Sequence, residues 1–264
     1  MFMLTHTYFL QRILSPIARE EMEPDVYIYN VAPDLLAIHA GISAAKTHRI
    51  RRSLPIPYEY PKTAYVLYHL LVDDLSHHGY ICLEYQDDFK IDSCGYAYKK
   101  GSPLVKSIRD LYGLAGLEMP LEEAVYQSHL IIEMIYDLVI LRRLQFCRTI
   151  EILVEALDYT AKNKMNEFVA TMRWLYGIDE SDIREVMEAA LLLITKDSLQ
   201  RIMTIEGRIH LYQDKFGLKS DRAILYDGLK SLFQSAMDAI DDDEVFFGET
   251  TQIIKQTNVL PFLK

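Results

Sequence analysis

The sequence predicts an all-α, multi-helix bundle whose first half gathers candidate metal ligands. Three observations carry this. Apolar residues recur at three- and four-residue steps along most of the chain, as in "LVILRRLQFCRTIEILVEAL". Glycine, proline and acidic breaks separate these runs near Gly113–Pro120, Gly177, Gly217 and Asp241–Glu244. Histidines and carboxylates occur at helical spacing inside otherwise apolar segments of the first half. With 264 residues, half of them hydrophobic, the chain is long enough for one large domain with a substantial core. We read residues 1–264 as a single domain, 1–140 carrying the metal site and 141–264 serving as helical scaffold.

Taken in order, "THTYFLQRIL" opens a helix with Thr5 as its cap. A looser stretch follows, broken by Pro24 and Pro33, and "PDLLAIHAGISAAKTHRIRR" runs from helix to loop. Thr63 to His78 reads as a strong helix stopped by Gly79. "YICLEYQDDFKIDSCGYAYKKGSP" is the least helical segment and suits a short strand pair or a lid-like loop. From Leu104 on, long amphipathic helices are expected. The acidic run "DAIDDDEVFF" lacks the spacing of a calcium loop and reads as a solvated helix end.

A net charge of −10 disfavours non-specific binding to duplex nucleic acid and tight docking on anionic membranes. The three cysteines, Cys82, Cys94 and Cys147, form no CxxC pair and point to a reducing, cytoplasmic setting. The first residues lack a basic region before their apolar stretch and read as mature protein. No run reaches the ~18 uninterrupted apolar residues of a membrane span. "SHLIIEMIYDLVILRRL" comes nearest but carries Glu133 and Asp137.

Seven of the eight histidines lie in the first 129 residues. In "YHLLVDDLSHHGY", His69, Asp73 and His77 are spaced i, i+4, i+8. Each step drifts only about 40° around a helix, so the three share one face. His78 and Asp74 leave that face; Asp74 would orient a histidine or meet solvent. In "SHLIIEMIYD", His129 and Glu133 repeat the i, i+4 pattern, with Asp137 one turn further. Buried carboxylates and imidazoles need partners: a shared cation, or else ion pairs and hydrogen bonds. Asp34 in "APDLL", His48 in "KTHR" and His6 in "THTYF" come from segments ahead of the His69 helix.

In this order, His6, Asp34, His48, His69-x3-Asp73-x3-His77 and His129-x3-Glu133 resemble the zinc-dependent phospholipase C family, similar in fold to the fungal three-zinc nucleases. The resemblance covers roughly the first 140 residues. It implies an all-α bundle with a metal cluster at the base of a cleft, in which His48, His69 and Asp73 hold one zinc, with Asp34 binding or facing the nucleophilic water as the catalytic acid–base. It implies His77, His129 and Glu133 around a second, with His78 as a substitute for His77 if the helix unwinds. In the family a third zinc binds the chain's own N-terminus, a nearby histidine and the bridging aspartate, here His6 and Asp73. This chain departs from that pattern by beginning with Met1 five residues before His6.

The activity implied is hydrolysis of a small phosphoester or phospholipid by a metal-activated water, with two or three Zn2+ ions. Iron or manganese also suits such mixed donors. The other class weighed is a non-catalytic helical scaffold or binding protein stabilised by metal. Neither an adjacent His-Asp dipeptide nor a HExxH protease motif occurs. Lys46, Arg49, Arg51 and Arg52 read either as phosphate contacts or as a solvated basic turn. Tyr58, Tyr60, Tyr65 and Tyr68 read as an aromatic wall or as core. His39 and His210 read as structural, and Cys82 as a small buried residue. Oligomeric state is not legible.

Overall fold

In the computed structural model, the described residues are 2–14, 21–84, 93–143, 148–218 and 223–257. In chain order the helices are α1 (Met3–Ile13), α2 (Val26–Leu36), α3 (Ala44–His48), α4 (Thr63–His77), α5 (Tyr96–Gly101), α6 (Val105–Leu114) and α7 (Leu121–Arg143). There follow α8 (Thr149–Tyr159), α9 (Met165–Tyr176), α10 (Glu180–Leu193), α11 (Lys196–Ile202), α12 (Ile205–Lys215), α13 (Ala223–Ala239) and α14 (Asp243–Gln256). Among the described residues there is no strand, and the fold is all-α.

Helix α4 is apolar nearly all round because it runs through the interior, with every residue from Val66 to His77 buried. It ends as glycine at a left-handed position predicts: Gly79 has φ +79°, and the amides of His78 and Gly79 both donate to the Asp74 carbonyl. Gly177 closes α9 in the same way. Helix α2 packs on α1 and α4, and α5 packs on α4 and α7. One core gathers around Phe9, Leu71, Ile131, Ile135 and Phe233. A second gathers around Ile28, Leu35, Val66, Leu153 and Phe168. Residues from both halves of the chain enter each core, so the C-terminal helices complete the packing that positions α1, α2 and α4. No helix is long and apolar enough to cross a membrane among the described residues.

Three local expectations change. Thr5 does not cap the first helix. That helix begins at Met3 after an extended Phe2, and the Thr5 amide and hydroxyl turn to Asp137 instead. Pro33 does not break the chain; it lies inside α2, which begins seven residues earlier. The buried face of α2 outweighs the one amide hydrogen bond a proline removes. The 80–103 segment contains α5 where a strand pair or lid was expected, and residues 85–92 lie outside the described residues. Its two glycines explain this helix. A Cβ on Gly95 would stand 2.3 Å from the Ser76 carbonyl oxygen, and one on Gly101 2.9 Å from that of Ser128. Their absence lets α5 wedge between α4 and α7.

Candidate metal centre

The long α4 face carries His69, Asp73 and His77 inward, as its spacing requires. Asp73 stands at the middle of a group drawn from four helices. Its Oδ2 lies 3.2 Å from His69 Nε2 and 3.3 Å from His48 Nε2. Its Oδ1 lies 3.2 Å from His6 Nε2. Asp34 Oδ1 lies 3.7 Å from His48 Nε2 and 4.0 Å from His69 Nε2. The His6 and His69 rings stack at 3.6 Å with 16° between their planes. Asp34 comes from α2 and His48 from α3, so both sit on helices.

The donor set fits divalent cations. None of the four ring nitrogens of His6 and His69 has an aligned hydrogen-bond partner, although all are buried. Leaving such groups unsatisfied costs ~1–3 kcal/mol each. Tetrahedral zinc with bonds of about 2.0–2.1 Å separates its donors by roughly 3.3 Å. The three nitrogen–oxygen separations around Asp73 match that edge. Burial, and then mutual repulsion for His6, lowers the His6 and His69 imidazoles to about 4. They therefore stay neutral near pH 7, the form that binds metal. Burial works against the Asp73 carboxylate, yet positive charge close by holds it well below its usual range. Burial pushes Asp34 up. Burial opposes the His48 charge, yet Asp73 raises its pKa.

The C-terminal end of α4 opens a second group. His77 Nε2 lies 2.5 Å from Glu133 Oε1, and a His129 donor nitrogen is within 4.8 Å of both. On the helix axis His77 is only about 6 Å beyond Asp73. Tyr98 of α5 stacks on the His129 ring at 4.5 Å and 11°, and Tyr126 meets it edge-on at 5.0 Å. Burial lowers His129 to about 3. Burial would raise Glu133, but positive charge nearby and the hydrogen bond to His77 hold it below the ordinary range. His78 turns away, joining Asp74 and Cys82 in a separate group.

Outer contacts hold the donors in place. His48 Nδ1 donates to the Ala44 carbonyl at 2.8 Å, which leaves Nε2 for Asp73. Arg52 pairs with Asp74 through two bonds of 3.1 and 2.7 Å and donates to the His48 and Ile50 carbonyls. Asp74 also accepts the Cys82 amide, so Arg52 and Asp74 fasten the His48 segment to α4. Asn30 donates to the His6 carbonyl at 2.8 Å.

All eight expected donors therefore fall into two neighbouring groups: His6, Asp34, His48, His69 and Asp73 in one, His77, His129 and Glu133 in the other. Met1, the remaining element of the expected third position, lies outside the described residues. Several weighed residues sit elsewhere. Arg52 is a buried clamp, Arg51 pairs with Glu84 at 2.9 Å, and Tyr60 stacks on Trp174. Tyr58 projects into solvent and Tyr68 is core. His39 pairs with Glu185 at 3.4 Å. Asp137 is no donor to either group; it binds Thr5 and Arg208. A groove of about 890 Å3 lined by Val105, Arg109 and Leu121 lies on α6 and α7, and none of the eight donors lines it.

Sequence reasoning missed the Arg52–Asp74 clamp, Asn30 and Tyr98. The signal available for the first was a second aspartate, Asp74, on the far side of an apolar helix. No family model, no curated protein and no solved structure matches this chain.

Proposed function

We propose that the protein is a metal-dependent hydrolase of phosphoester bonds, a phospholipase C-like phosphodiesterase. Asp34, His48, His69 and Asp73 would hold one ion, and His77, His129 and Glu133 a second. His6 and Asp73 would offer a third position. Zinc suits these donors best, and iron or manganese meets the same mixed set.

One observation carries the reading. The Asp73 group is closed on one side and open on the other. His6, His69 and Asp73 are buried, while the Asp34 and His48 side chains are 26% and 27% exposed. A structural site closes its coordination, whereas a catalytic one keeps a face for water and substrate. Divalent ions bound here supply Lewis acidity and bring the pKa of water toward neutrality. Asp34, on the open side, orients a water and accepts its proton on a carboxylate oxygen. Asp73 spans the His48–His69 pair and His6 with its two oxygens, keeping the imidazoles aligned. The substrate is a small phosphoester or phospholipid, and the setting is cytoplasmic, in keeping with the free Cys82 and Cys94. Duplex nucleic acid is no partner, given the acidic chain.

The second reading, a metal-stabilised scaffold, draws on the closure of the His77 group, whose residues are buried. The two separate in one experiment: elemental analysis of the purified protein beside turnover of bis-p-nitrophenyl phosphate and a panel of phospholipids. The hydrolase binds at least two metal equivalents and turns over substrate, and Asp73→Asn loses both an equivalent and the turnover. Bound metal with no turnover on any substrate would leave the scaffold.

A further inference from the structure

We propose that Asp137 caps helix α1 in trans and so sets the position of His6, with Arg208 from the C-terminal half balancing its charge. The inference rests on reading His6 as a metal donor.

The first amides of a helix have no partner within it. Helix α1 begins after Phe2, which has no side-chain cap to offer. Asp137 of α7 supplies one from across the bundle. Its Oδ1 accepts the Thr5 amide at 3.0 Å and the Thr5 hydroxyl at 2.5 Å. A carboxylate is also the charge that a helix N-terminus favours. Its Oδ2 accepts from Arg208 of α12 at 2.8 Å. Thr5, Asp137 and Arg208 are 0%, 2% and 1% exposed, so the contact is shielded from water.

The residue after Thr5 is His6. Its carbonyl is held by Asn30, and its Nε2 faces Asp73 Oδ1. The backbone on either side of this donor is thus tied to a different helix. Asp137 follows Glu133 by four residues and His129 by eight, on the same stripe of α7. One helix face therefore supplies two donors of the closed group and the cap that places a donor of the open one. Asp137 is the positioning residue, and Arg208, from residues 141–264, balances its charge.

Zinc affinity, measured by competition with a chromogenic chelator, and the absorption of Co2+-loaded protein test this. Two double variants keep the buried charges balanced. Asp137→Leu/Arg208→Met removes the cap, whereas Asp137→Asn/Arg208→Met keeps an acceptor oxygen for the Thr5 amide. The leucine double should reproduce His6→Ala, weakening one zinc position by about 10- to 100-fold and altering the Co2+ spectrum. The asparagine double should bind as wild type does. A merely structural role would lower melting temperature without moving one zinc position selectively. Wild-type zinc affinity in the leucine double, or equal losses in both doubles, overturns the cap. A wild-type protein that binds no zinc instead brings down the metal reading itself. Should the leucine double not fold, hydrogen exchange of the wild type decides. The Thr5 amide should exchange far more slowly than that of Leu4, and equal rates reject the cap.

Discussion

The two donor groups share one helix, α4, and the same residue types, yet they differ in access to water. Around Asp73, two of five side chains are about a quarter exposed. Around Glu133, His77, His129 and Glu133 are 8%, 2% and 4% exposed, and Tyr98 covers the His129 ring. Similar imidazole and carboxylate donors are thus enclosed to different degrees. A group open on one side can exchange ligands, while one sealed by packing chiefly ties α4 to α7. Donor identity determines what can bind; enclosure determines whether anything else can reach it.

The widest separation should appear between Asp34→Asn and Glu133→Gln. Asp34 lies at the open edge, so its loss should reduce phosphodiester turnover more than about a hundredfold, beyond what an outer-shell contact costs. Stability should fall less than for Glu133→Gln, because the Asp34 side chain keeps contact with water. Glu133→Gln weakens the buried hydrogen bond to His77 Nε2 and should cost about 1–3 kcal/mol in denaturant melts. Equal behaviour of the two variants would erase the distinction drawn here.

Arg52→Met comes next. It strips Asp74 of a buried ion-pair partner and frees the His48 carbonyl, so it should destabilise by ~3–5 kcal/mol. It should also weaken zinc at the open group about 10- to 100-fold while the His77 group keeps its metal, as read by metal analysis after dialysis. Chelator added in a time course should remove activity before it lowers melting temperature, because the exposed group releases first. Simultaneous loss would mean that both groups are equally enclosed.

Tyr98→Leu should cost only about 0.5–1.5 kcal/mol beyond lost area, the value of an aromatic stack, and should affect the closed group alone. The smallest effect serves as a control remote from both. Lys164, then Lys62, lowers Glu23 from 4.5 to about 2. A depressed carboxyl adds stability that is present above pH 4.5 and disappears as pH falls toward about 2. The Glu23 side chain is 42% exposed, so Glu23→Gln should flatten that acid limb slightly in pH-dependent melts and leave metal at the two groups unchanged.

Much of this was legible locally. Helix spacing put His69, Asp73 and His77 on one face and His129 with Glu133 on another. Gly79, Gly177 and Gly217 marked real helix ends, each at positive φ. Local signals misled where packing overrode them: Pro33 inside a buried helix, Thr5 satisfied from α7, and α5 admitted by the missing side chains of Gly95 and Gly101.

The sequence by itself determined the helical class and the two donor stripes, because both follow from periodicity within a dozen residues. Only the tertiary structure decided that Asp34, His48 and His6 meet Asp73, that Arg52 clamps Asp74, and that Asp137 reaches across to α1. Such contacts join residues tens to more than a hundred positions apart, and helix packing alone brings them together.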